Sequence, residues 1–177
     1  YAEKLAGIYA KDPENDAILT TLTSTYSALG MQDKAEAIVH EALAKNPNSY
    51  GALVMEGQFA SQKKDYEKAA DYLTKALAQA KDDNARVAIN ASIGQCWFYK
   101  AQERVAAVKG VLSPAARAQF NEVYNKAISY LETAKKLDVM KEQNSAWAYP
   151  LYGCYYFVKG PQAPETLNAA ADAGVQQ

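Results

Sequence analysis

DKAEAIVHEALAKNP at residues 33–47 and YEKAADYLTKALAQA at residues 66–80 are one pattern written twice. Ala35, Val39, Ala42 and Leu43 recur as Ala69, Leu73, Ala76 and Leu77, with the same interval for all four. A third copy, YNKAISYLETAKKLD from Tyr124, repeats the spacing with Ala127, Leu131 and Ala134. Apolar residues at i, i+4 and i+7 lie on one face of a helix, so the spacing predicts three equivalent amphipathic helices. A fixed period of this kind is the signature of a repeat architecture in which each unit buries its apolar face on its neighbours.

Each of these helices follows a helix of a second kind: AILTTLTSTYSALG (Leu22, Tyr26), ALVMEGQFASQKK (Leu53, Gly57) and INASIGQCWFYKA (Ile93, Gly94, Trp97). A fourth, AYPLYGCYYFVKG (Tyr152, Gly153, Tyr156), comes after the last copy. A small residue with a bulky one three or four positions on lets paired helices approach closely while the large side chain fills the gap.

This helix-turn-helix unit, with a period of about 34 residues, resembles the tetratricopeptide repeat. The family's first-helix Leu-Gly pair and tyrosine correspond to Leu22 and Tyr26, with Thr23 where the glycine would stand. Its second-helix alanine, large apolar residue and second alanine correspond to Ala35, Val39 and Ala42, and its closing proline to Pro47. The second copy keeps Gly57, Ala69, Leu73 and Ala76 but has Lys81 at the place of the proline. KLAGIYAKDP, ending at Pro13, looks like the second helix of an earlier, truncated repeat. The resemblance implies an all-α fold, a right-handed α-α superhelix of antiparallel helix pairs. Its expected divisions are 1–14, the second helix of a truncated repeat, then repeats at 15–48, 49–83 and 84–140 and an irregular terminal repeat at 145–177. The opening YAEKLAGIYAKDP reads as neither a signal peptide nor a natural start, so an excised piece is the expectation.

The third unit departs from the period. Gly94 and Ala127 stand much further apart than Gly57 and Ala69. AQERVAAVKG continues the first helix towards a C-terminal cap at Gly110, and Ser113-Pro114 reads as the N-cap and first residue of the next helix. Both helices are lengthened, and about ten extra residues at about 1.5 Å each would carry the hairpin roughly 15 Å beyond its neighbours. Such an arm is either self-packing, a second docking surface or a dimer contact. In the last unit Pro150 would remove a hydrogen bond from a helix interior, so regular helix is expected to begin near Tyr149, followed by a short helix from Pro164.

Nineteen basic and twenty acidic residues leave a formal charge of −1, which favours neither nucleic acid nor anionic lipid at long range. No apolar run is long enough to suggest membrane insertion. Cys96 and Cys154 fall in helices and read as buried thiols; with the single histidine, His40, they cannot make a four-ligand zinc site. His40 has no catalytic arrangement around it, and Asp82-Asp83 reads as an inter-repeat turn. No phosphate loop, HExxH pattern or nucleophile elbow occurs, so no enzyme, cofactor or metal is expected.

What the resemblance implies instead is protein binding. In such arrays the first helices line a concave groove, here Thr20, Ser24 and Ser27, then Val54, Gln58 and Gln62, then Gln95, Phe98 and Tyr99, then Cys154 and Phe157. Thr20, Ser24, Met55, Ala88 and Ser92 occupy the places where chaperone-binding relatives keep a cationic carboxylate clamp, so an acidic C-terminal tail is not the expected ligand. An extended peptide or a helix offering apolar or amide groups fits better. The aromatic cluster of Trp97, Phe98, Tyr99, Trp147, Tyr149, Tyr152, Tyr155, Tyr156 and Phe157 either fills seams between helix pairs or, at Tyr99 and Phe157, supplies groove anchors. A scaffold or adaptor is the leading expectation. Self-assembly, possible homo-oligomer formation included, and an accessory role within a larger protein are the alternatives. The Trp147–Tyr156 segment also resembles those of bacterial tetratricopeptide proteins that are often exported, which implies the periplasm, with the cytoplasm as the alternative.

Overall fold

A computed structural model describes residues 1–176 and divides the chain into two compact units, Tyr1–Ala80 and Lys81–Gln177. Among the described residues every regular element is a helix. The first unit holds α1 (Ala2–Tyr9), α2 (Asp16–Ala28), α3 (Gln32–Lys45), α4 (Tyr50–Gln62) and α5 (Tyr66–Ala78). The second holds α6 (Asp83–Ala106), α7 (Pro114–Leu137), α8 (Asn144–Lys159) and α9 (Pro164–Ala173).

The period is written in the helix ends as well as in the apolar stripes. Asn15, Ser49 and Asp82 cap α2, α4 and α6, each side chain accepting from the backbone N–H three residues on, at 3.2, 3.2 and 2.8 Å. Those side chains satisfy donors that the first turn of a helix leaves without a partner. The turns inside the first unit also match. After α2, Met31 N–H reaches Tyr26 O at 2.8 Å with Gly30 at φ +70; after α4, Asp65 N–H reaches Ala60 O at 2.9 Å with Lys64 at φ +60. Both are left-handed helix closures, and Lys64 holds a conformation that glycine would adopt at lower cost.

Within each pair the helices run antiparallel and touch through the small residue of the first. A Cβ built on Gly57 would lie 2.7 Å from Leu73 Cγ, and one on Gly94 2.5 Å from Leu131 Cγ. The carbonyl oxygens of Ala69 and Ala127 lie behind those leucines, 3.4 and 3.3 Å away. The first repeat packs with other sizes: Thr23, buried and donating its hydroxyl to Leu19 O at 2.7 Å, replaces the glycine, and Val39 replaces the leucine. A larger residue on one helix is matched by a smaller one on the other.

In the second unit α6 and α7 are 24 residues each, against 13 each for α4 and α5. Ser113 caps α7 with Pro114 at its start, but α6 ends at Ala106, short of Gly110, which sits at φ +89 in the turn. The last turn of α8 reaches α7, where Arg117 donates to Phe157 O at 2.9 Å, so α8 covers the lengthened hairpin down to that residue. Asp138, buried at the α7–α8 turn, accepts from Glu142 N–H, Gln143 N–H and Trp147 Nε1 at 3.0, 3.0 and 2.9 Å. Asp172 of α9 accepts from Lys135 at 2.8 Å and Lys141 at 2.6 Å, tying the last helix to α7 and to the turn.

Two expectations need correction. Helix α8 begins at Asn144 and runs through Pro150, which is buried inside it. Gly153, the counterpart of Gly94 by sequence, does not meet the second helix of its own unit; its Cβ position lies 2.6 Å from the Phe98 ring of α6.

The size matching is testable by a double-mutant cycle read by urea unfolding. Gly94→Thr alone should cost about 2 kcal/mol through overpacking. Leu131→Val alone should cost about 1 kcal/mol through the cavity it leaves. The pair together should cost clearly less than the sum, reproducing the Thr23–Val39 arrangement of the first repeat.

Candidate functional site

The residues expected to line a groove are placed within each unit separately. In the first unit Ser24, Gln58 and Gln62 are exposed on α2 and α4, while Thr20, Ser27 and Val54 are half-buried. Thr20 turns its hydroxyl back to Asp16 O at 2.7 Å, and Ser27 donates to Gln32 Oε1 at 3.3 Å. What this unit presents from its first helices is small and polar.

The second unit differs from expectation at several positions. Phe98 is 2% exposed, its ring filling the space over Gly153, and Cys154 is 0% exposed in the core with Trp147 and Leu151; neither can meet a ligand. Cys154 directly follows Gly153, and because that glycine packs on Phe98, the face of α8 is turned relative to the other first helices. Burial also pushes the Cys154 thiol far above its ordinary pKa, which leaves it protonated and a poor nucleophile. No disulfide joins Cys96 and Cys154, both of them buried.

Gln95 is committed elsewhere. Pro150 has no N–H, so the Ala146 carbonyl four residues earlier loses its helical donor. Gln95 Nε2 supplies the replacement, donating to Ala146 O at 2.6 Å from the neighbouring helix. That cross-helix bond is why a proline can stand inside α8.

Phe157 is half-buried, its ring 4.5 Å from that of Tyr124 and 4.9 Å from the Arg117 guanidinium. Trp147 is fully buried, and Tyr155 donates to Glu132 at 2.8 Å. The exposed aromatics are others. On α8, Tyr149, Tyr152 and Tyr156 form a ladder with ring centroids 6.3 and 5.9 Å apart, and Tyr149 and Tyr156 are 59% and 50% exposed. Tyr99, 42% exposed, lies one turn beyond Gln95 on α6, the residue that touches α8. The sequence carried this signal in its spacing: Trp147, Leu151 and Cys154 form one stripe, and Tyr149, Tyr152 and Tyr156 form another on a different face.

The His40 position has a partner that sequence reading missed. Glu56, 5% exposed in the middle of α4, sets its Oε1 2.7 Å from His40 Nε2 of α3, an ion-pair distance without an aligned hydrogen bond. Burial lifts the Glu56 carboxyl above the ordinary glutamate range, Glu36 adds to the rise, and His40, Lys68 and Lys63 pull against it. A carboxyl raised on folding favours the native state at acid pH, and that contribution is lost as pH rises through the raised value.

Two measurements follow. Gln95→Ala should lower stability by about 1–2 kcal/mol, the cost of a carbonyl left without a donor, and by much less when Pro150→Ala restores the helical bond. Glu56→Gln should stabilise the chain at neutral pH in urea melts, with the two stability curves converging as pH falls below the ordinary glutamate range.

No protein-family model matches the sequence, and no curated protein matches it significantly. Solved structures do resemble the fold. One, described as an IFIT1 monomeric mutant (L457E/L464E) with Gppp-AAAA, aligns with a TM-score of 0.74 at 20% identity over 98% of this chain. This chain spans only 36% of that protein. Another, described as YrrB, a TPR protein with an unusual peptide-binding site, aligns with a TM-score of 0.47 at 18% identity, covering 98% of this chain and 92% of that one. With its in-phase caps, its glycine-on-leucine pairs and its fixed period, the chain has the all-α fold of the tetratricopeptide-repeat solenoids.

Proposed function

We propose that this chain is a non-enzymatic protein-interaction module, and that the second unit engages its partner through the tyrosine face of α8 together with Tyr99 of α6. The observation that carries this reading is the pair of exposed rings, Tyr149 and Tyr156, set on either side of the half-buried Tyr152. Burying Tyr149 and Tyr156 is not required by the fold, because α8 already buries Trp147, Leu151 and Cys154 on its other stripe. Tyrosines give large contact area at low side-chain entropy cost and retain a hydroxyl for directional bonding, which suits them to contact a partner. The face carries no cationic clamp, so its ligand offers apolar and amide groups, as an extended or helical segment does.

Lack of catalysis is supported by the candidate groups themselves. The Cys154 thiol is held protonated by burial, and the Glu56 carboxyl is enclosed between α3 and α4 against His40. The IFIT1 structure was solved with Gppp-AAAA, so a nucleic-acid ligand is the comparison to run beside protein ligands. The one cation of α8, Lys159, lies 3.6 Å from Glu165, which leaves little positive charge for phosphate and favours protein.

The test is affinity capture with identification of crosslinked partners, repeated with a Tyr149→Ala/Tyr156→Ala variant and in parallel with a capped oligonucleotide. Removing two anchors of this kind should weaken the partner by at least about 2 kcal/mol, roughly thirtyfold in Kd, with the melting temperature little changed. Undiminished capture by the variant, or oligonucleotide binding that depends on the same tyrosines, would overturn the proposal.

A further inference from the structure

A local excess of positive charge lies at the turn joining α6 to α7. Between Glu103 and Glu122 stand Arg104, Lys109 and Arg117 with no acidic residue, in a protein whose formal charge is −1. Arg104 and Lys109 make no ion pair among the described residues. Arg117 directs its guanidinium at the Phe157 carbonyl and ring, neither of which neutralises its charge. The first turn of α7 adds no acidic side chain to offset the positive end of that helix.

The apex of the same turn is apolar. Val111, beside Gly110, is 98% exposed, Val108 is exposed and Leu112 half-buried. A valine this open contributes nothing to the packing of the chain that carries it. Exposed aliphatic side chains at the tip thus have cations beside them and a turn behind them on both helices. Such an element matches a surface whose outer layer is anionic and whose interior is apolar. Among the described residues no helix is long and apolar enough to cross a membrane, so contact would be made from one side only.

We propose that the tip of the long hairpin, residues 104–117, docks on an anionic lipid surface. Val108, Val111 and Leu112 enter between the headgroups while Arg104, Lys109 and Arg117 meet the phosphates. An acidic protein surface would satisfy the cations but gives no reason for the bare valine at the apex. The inference is independent of the tyrosine face, which lies on α8.

Flotation of the intact chain with vesicles tests it, using phosphatidylglycerol mixed with phosphatidylcholine against phosphatidylcholine alone. Binding should require the anionic lipid and fall as salt is added. Lys109→Gln should weaken it about fivefold, the share of one juxtamembrane cation. Val111→Asp should weaken it by more, with the helical signal by circular dichroism and the melting temperature unchanged because the side chain is 98% exposed. Failure to bind anionic vesicles, equal binding to both vesicle types, or binding indifferent to the two substitutions overturns the proposal. So does a result in which the substitutions abolish capture of an acidic protein while vesicle binding persists.

Discussion

Each hairpin of this chain depends on how closely its first helix can approach its second. Where glycine stands on the first helix, at Gly57 and Gly94, a leucine of the second helix lies so near that any added carbon would collide with it. The leucine is held in turn by the alanines one turn to either side, which let the backbones draw together. Interiors packed at this density transmit a change of size at one position directly to its partner. In the first repeat the corresponding places hold Thr23 and Val39, both buried, a larger residue on the first helix and a smaller one on the second.

The end of the chain has the same helix pairs but secures them with polar groups. Pro150 interrupts the α8 hydrogen-bond ladder, and Gln95 completes it from α6. Asp138 gathers two backbone N–H groups and the Trp147 indole at the turn into α8, and Asp172 gathers two lysines onto α9. A buried carbonyl or carboxylate with every partner in place fixes one arrangement, because losing any partner leaves a costly unsatisfied group. Glu56 in the first unit is the contrast. It is buried at a helix interface with an ion-pair contact but no aligned hydrogen bond, and it is therefore a cost that the rest of that unit offsets.

Much of the fold was legible in the sequence because the period is carried by residues whose role is purely geometric. Alanines at i and i+7 around a large residue mark a close helix contact, and Ser113 followed by Pro114 marks a helix start, whatever the chain does. Helix α8 was harder. Reading Pro150 as a helix boundary follows from the chemistry of proline alone, and only the structure brings Gln95 within reach of the carbonyl that proline releases. The expected ligand-facing set failed at Phe98 and Cys154 for a related reason. Counting from Gly153 assumes that it plays the part of Gly94, whereas it is the contact point for Phe98, and the whole face of α8 turns with it. A whole-chain charge near zero does not describe how charge is distributed, and the stretch 104–121 holds cations and no acid.

Helix α8 packs against α6, α7 and α9, and its fully buried stripe is supplied by Trp147, Leu151 and Cys154. The fold makes no demand on the solvent-facing stripe beyond compatibility with water, and lysine or glutamate would meet that demand better than tyrosine. Thirteen tyrosines in the chain could be put down to composition, yet two of the exposed ones, Tyr149 and Tyr156, stand in ring contact with the half-buried Tyr152 along one face. Scattered apolar surface is ordinary, whereas contiguous aromatic surface is retained against its tendency to associate. The residues that packing leaves unconstrained are aromatic on α8 and cationic at the tip of the α6–α7 hairpin, and these are the positions on which the proposed contacts rest.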